Sequence, residues 1–148
     1  MMLRSLQYVL LIVFLAVPMA GAQAAEGIHQ LALQISDNDE AKMNTVLNVA
    51  ANVSRYYSGL GEEVQIEIVA FNAGLHMLRE DTSPVKDRLT SFSESMPNVI
   101  FQACNNTLQG MTKKEGKTPP LVPSAHIVPA GVVRLIELNE AGWTIVRP

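Results

Sequence analysis

The stretch Asn98-Val-Ile-Phe-Gln-Ala-Cys-Asn-Asn-Thr-Leu-Gln-Gly110 decides how this chain folds. Val99 to Ala103 is an apolar run of strand length and reads as a short buried strand. Cys104, the only cysteine in the sequence, follows it. Asn105, Asn106 and Thr107 suit an exit from a strand and the capping of a helix. Leu108 to Lys114 then predicts a short helix that stops near Gly116. The thiol falls on a strand-to-helix turn, where an α/β domain usually displays its chemistry. A helix N-terminus carries unpaired N–H groups and partial positive charge, and both favour a thiolate over a thiol. The competing reading is a small buried hydrophobe, which free cysteine often is.

Working outward, the same alternation of strands and helices recurs. Ile28 to Ile35 reads as a first strand. Ser36-Asp37-Asn38-Asp39 is a turn cluster, and Asp37 with Glu40 resembles a capping box. Met43, Val46, Leu47, Ala50, Val53 and Tyr57 recur at helical spacing, so a helix is expected from about Asp39 to Tyr57, ended by Gly59 and Gly61. That Gly-x-Gly follows a helix and precedes a strand, the reverse of a dinucleotide fingerprint. Val64 to Phe71 is a second strand, with Val64, Ile66, Ile68 and Ala70 on one face. Asn72-Ala73-Gly74 turns out of it into a short irregular piece, Leu75 to Leu78. Ser83-Pro84 places proline at the start of another helix, closed by Met96-Pro97. Lys113 to Ala125 is loop-like. His126 to Val128 is a short strand, Val132 to Ala141 a helix, and Trp143 to Val146 a last strand.

This order predicts a single doubly wound α/β domain around a mostly parallel five-stranded sheet, of flavodoxin-like or Rossmann-like type. In a parallel sheet the turns after the strands share one rim. That rim is expected to carry Asp37, Asn38, Asn72, Gly74, Cys104, Asn105, Asn106 and the Pro129-Ala130-Gly131 turn. Arg134 is placed to face it or to pair with Glu137. His76 follows the second strand and is the candidate base for Cys104, whereas His29 and His126 start strands on the opposite rim. No histidine spacing suggests a metal pair, and neither a metal nor a cofactor is expected. Asn52 and Asn105 head glycosylation sequons, read as chance matches inside an α/β core.

Composition narrows the function classes. Hydrophobic residues make up 48% and charged residues 17%, which fits a globular protein rather than a disordered one. A net charge of -3 gives no basic footprint for nucleic acid. Arg4, the apolar run from Tyr8 to Val17 and the Ala22-Gln23-Ala24 site follow the order of a cleavable signal peptide over residues 1–24, leaving a domain over 25–148. The run is shorter than the about 20 residues of a spanning helix, so no stable membrane anchor is expected. Export, to a periplasm for instance, takes the chain to an oxidising compartment, where a lone cysteine is buried, joined to another molecule or kept reactive.

Phe101-Gln-Ala-Cys-Asn-Asn-Thr107, Val128-Pro-Ala-Gly-Val-Val-Arg-Leu-Ile-Glu-Leu138, Gly142-Trp143 and the terminal Arg147-Pro148 together resemble the DsrE/DsrF-like family of sulfur-relay proteins, and the Asn72-Ala73-Gly74 turn fits the same pattern. The resemblance runs from about His29 to Pro148. It implies a doubly wound fold that assembles into trimers or hexamers. It also implies a rim cysteine, here Cys104, that accepts sulfur as a persulfide and passes it on. Asn72, Gly74, His76, Asn105, Asn106, Gly131 and Arg134 are then the candidate substrate-binding residues, and a sulfur donor or acceptor protein is the implied partner. The relay members are cytoplasmic, whereas this chain carries an expected export signal. Two alternatives stand beside the persulfide carrier. One is a thiol reductase or transferase that works with an outside resolving thiol. The other is an oligomeric binding module in which Cys104 only packs.

Overall fold

The computed structural model describes residues 27–148; the expected signal peptide lies outside the described residues. Five strands form one all-parallel sheet: β1 (His29–Ile35), β2 (Val64–Ala70), β3 (Val99–Cys104), β4 (Ala125–Val128) and β5 (Thr144–Val146), in the order β4-β3-β2-β1-β5. The chain is a doubly wound α/β domain, as its alternating elements require.

The helices follow from their local chemistry. Helix α1 (Glu40–Leu60) turns Met43, Val46, Leu47 and Ala50 inward at three- and four-residue spacing. Its cap is Asp39, whose carboxylate accepts the Lys42 N–H at 2.9 Å, and not Asp37. Asp37 instead accepts from Lys42 Nζ at 2.9 Å and from Arg147 at 3.1 Å, tying the chain's end to the rim. Gly61, at φ 74°, closes the helix in the left-handed conformation that suits glycine. A 3₁₀ segment spans Asn72–Leu78. Helix α2 (Lys86–Ser95) begins two residues later than the Ser83-Pro84 signal suggests; the Ser83 hydroxyl donates to the Met77 carbonyl at 2.6 Å and accepts from the Val85 N–H at 3.3 Å. Helix α3 (Asn105–Glu115) begins directly after the cysteine, and α4 spans Gly131–Glu140.

The strand order explains where these helices lie. The first three crossovers step along the sheet in one direction, so right-handed connection puts α1, α2 and α3 on one face. There Met43, Val46, Leu47, Leu89, Phe92 and Leu108 pack on Ile66, Ile68 and Phe101 in the main core. The step from β4 back to β5 reverses direction and sends α4 to the other face. Leu135 and Leu138 of α4 pack there with Ala32, Val69, Phe71 and Cys104 in a smaller cluster. Val132, Val133 and Ile136, on the outer side of α4, are exposed.

Candidate functional site: a crevice around Cys104

Strands β3 and β4 are hydrogen-bonded neighbours, with Cys104 opposite Val128. Their following helices leave toward opposite faces of the sheet, which opens a crevice at the carboxyl edge. A cavity of about 530 Å³ lies there, lined by Phe71, Asn72, Cys104, Asn106, Thr107, Gly110, Met111, Lys114, Gly131 and Val132 among others. Lys114 is the sole charged side chain among them.

Cys104 is both the last residue of β3 and the N-cap position of α3. It thus occupies the position where a capping side chain normally stands, beside the free N–H groups of the first turn. It is 5% exposed. That burial pushes the thiol pKa up, but hydrogen bonding from the Thr107 hydroxyl and from the backbone N–H groups of Gly131, Thr107 and Asn106 outweighs it. The net result is a thiol held below its ordinary value. The interaction differs from an oxygen cap, since no side-chain capping bond of regular geometry forms at Cys104.

The donors are held in place. Asn72, with φ 49°, adopts the left-handed conformation that asparagine tolerates better than most residues. This turns its backbone N–H to the Thr107 hydroxyl oxygen at 2.9 Å. Gly131 lies so close to Phe71 that an added Cβ would stand 2.9 Å from the Phe71 Cβ. No side chain fits there, so the first turn of α4 can approach the sulfur.

The structure thus brings Asn72, Asn106 and Gly131 together with Cys104, and places the other candidates elsewhere. Asn105 opens α3 but does not line the crevice. Gly74 packs against β1, where a Cβ would meet the Ile35 carbonyl oxygen. His76 is engaged with the Thr82 carbonyl through Nε2 at 2.8 Å and is not part of the cavity wall. Arg134 faces neither the rim nor solvent alone. It forks onto Glu67 through Nε at 3.0 Å and Nη2 at 2.5 Å, and reaches Glu137 at 3.3 Å. His29, on the far rim, stacks on Tyr57 and bonds Glu62 at 2.7 Å.

Besides Phe71 and Val132, sequence reasoning did not single out for the site the α3 wall residues Thr107, Gly110, Met111 and Lys114. They fall on one side of α3 at helical spacing, a signal visible once the helix is started at Asn105 rather than Leu108. Among the described residues no group of three or more His, Cys, Asp or Glu side chains is placed to share a metal ion, and no helix is long and apolar enough to cross a membrane.

No protein-family model and no curated protein matches the chain. Its fold is similar to that of a solved structure, the protein of unknown function MTH1491 from Methanobacterium thermoautotrophicum. The two share 26% sequence identity at a TM-score of 0.70, over 81% of this chain and 99% of that one.

Proposed function

We propose that this chain is an exported, DsrE-like sulfur carrier whose Cys104 thiolate takes up one sulfane sulfur and hands it on. The observation that carries the reading is the place of Cys104: it stands at the start of α3 and lines the crevice beside Asn106, Thr107 and Gly131, whose hydroxyl and N–H groups hold the thiol below its ordinary value. Such donors stabilise negative charge on sulfur, and the thiolate is the attacking species. The reaction needs no oxidant. The Cys104 thiolate attacks the outer sulfur of a persulfide R–S–SH, the S–S bond breaks, and R–S⁻ leaves. An acceptor thiolate then attacks the outer sulfur of Cys104–S–SH and regenerates the Cys104 thiolate. After each transfer the extra sulfur is itself an anion near the same donors.

Intact-mass measurement after exposure to glutathione persulfide tests this. A gain of one sulfur atom, absent in Cys104→Ser, is the expected result. An unmodified native protein would overturn it.

The near-complete burial of Cys104 favours a second reading, a binding module whose cysteine only packs. It predicts a thiol that reacts only after denaturation.

Assembly and export belong to the same proposal. The exposed stripe Val132, Val133 and Ile136 continues into the crevice through Val132, which supports a second copy of this chain as its cover. The expected assembly is a trimer or hexamer. Ile136→Glu should then dissociate it, as read by light scattering. Export predicts protein recovered with its N-terminus at or near Ala25.

A further inference from the structure

Glu67 sits in the middle of β2 and is 4% exposed, an unusual place for a carboxylate. Arg134 of α4 forks onto it, and Gln102 Nε2 of β3 donates to its Oε2 at 3.0 Å. The Gln102 Oε1 atom is buried with no hydrogen-bond partner. A buried carboxylate held by a half-exposed guanidinium, beside an orphaned amide oxygen, carries a desolvation cost that well-packed apolar residues would not. What such a trio does supply is fixed relative position.

Its position is specific. Gln102 lies two residues before Cys104, on the same face of β3. Arg134 lies one helical turn after Gly131. One hydrogen-bonded cluster therefore joins the strand that carries the sulfur to the helix that carries one of its donors. Within one copy of the chain, helix α4 has few other anchors: Leu135 and Leu138 are its buried side chains beyond Gly131.

We propose that Glu67, Arg134 and Gln102 are positioning residues for Cys104: together they hold the first turn of α4, and with it the Gly131 N–H, against the end of β3. The inference rests on the thiolate reading of the site and concerns geometry rather than sulfur transfer. Other charged or titratable groups lie on the elements packed around the site. Lys114 on α3 lines the crevice, Glu137 pairs with Arg134, and His126 of β4 stands opposite Gln102. His76 is engaged with Thr82.

The test is a pH titration of thiolate ultraviolet absorbance in the folded protein, with Cys104→Ser subtracted. This readout needs neither a sulfur donor nor access for a reagent. Glu67→Gln/Arg134→Met removes both charges together, so that neither an unpaired buried charge nor a change of net charge acts on the thiol, and it should move the midpoint up by about one pH unit, the size expected for losing one charge-assisted hydrogen bond. Val46→Ala, a core change in α1 at a residue that does not line the crevice, should lower stability without moving the midpoint. A folded double variant that titrates like the wild type would overturn the inference. Failure of the wild type to take up sulfur would overturn the carrier reading alone.

Discussion

The backbone N–H of Asn72 donates to the Thr107 hydroxyl oxygen at 2.9 Å, and so fixes which way that hydroxyl can give its own hydrogen. With its oxygen engaged as an acceptor, Thr107 is free to donate to the Cys104 sulfur, the strongest of the interactions that lower its pKa. A residue 35 positions away in sequence from Asn72 is thereby held beside the sulfur.

Thr107→Val keeps the shape and removes the donor. The thiolate midpoint should rise by about one pH unit, and Thr107→Ser should leave it near the wild-type value. Titration by absorbance checks both.

A lowered thiol pKa also shapes stability. The unfolded thiol, near 8.5, binds a proton that the folded thiolate has already lost. Relative to Cys104→Ser, the wild type should therefore gain stability as pH rises through the folded pKa toward about 8.5, and lose that gain as pH falls back. Urea unfolding across this range measures the difference. A flat difference would mean that the folded and unfolded thiols titrate alike.

Gly110 stands inside α3, lines the cavity, and has nothing within 4 Å of where a Cβ would go. Gly110→Ala should raise stability by about 0.5–1 kcal/mol through helix propensity. Gly110→Leu, which projects into the crevice, should slow sulfur uptake while leaving the thiolate midpoint in place. Unfolding midpoints and uptake rates measured on the same samples separate the two effects.

Gly131→Ala would set a methyl 2.9 Å from the Phe71 Cβ. The expected cost is about 1–3 kcal/mol of stability, as for other overpacked sites, together with a raised thiol midpoint as α4 is pushed off the sulfur. Loss of stability with an unchanged midpoint would show that α4 yields elsewhere.

Away from the crevice, Arg79 bridges Asp81 at 2.8 Å and Glu115 at 2.6 Å. Hydrogen bonding to Arg79 lowers the Asp81 pKa to about 2, below the about 3.9 of a free aspartate. The contribution from this pair should be complete above about pH 4 and fade as pH falls toward 2. Arg79→Met should flatten that part of the acid-unfolding profile.

Much of this arrangement was legible in the residues themselves. The apolar alternation of Val64, Ile66, Ile68 and Ala70 and the three- and four-residue spacing of Met43 to Ala50 are local signals, and β2 and α1 form where those signals lie. The shared rim followed from parallel strands, which is why Asn72, Asn106 and Gly131 could be grouped with Cys104. The start of α3 was not legible, because asparagine and threonine are better helix caps than cysteine. Placing the cap on Asn105 to Thr107 hid the Thr107–Lys114 side of the helix. Glu67 was hidden for another reason. In an alternating strand a lone carboxylate reads as outward-facing, and its partner Arg134 is 67 residues away, brought near only by the reversal at β4 that puts α4 on the second face.

The most direct test of the central claim is the intact mass of the native protein at neutral pH after exposure to glutathione persulfide. The expected result is a gain of one sulfur atom on the wild type, no gain on Cys104→Ser, and loss of the extra sulfur when a thiol acceptor is added. A native protein that gains nothing, while the denatured chain is modified at Cys104, would contradict it.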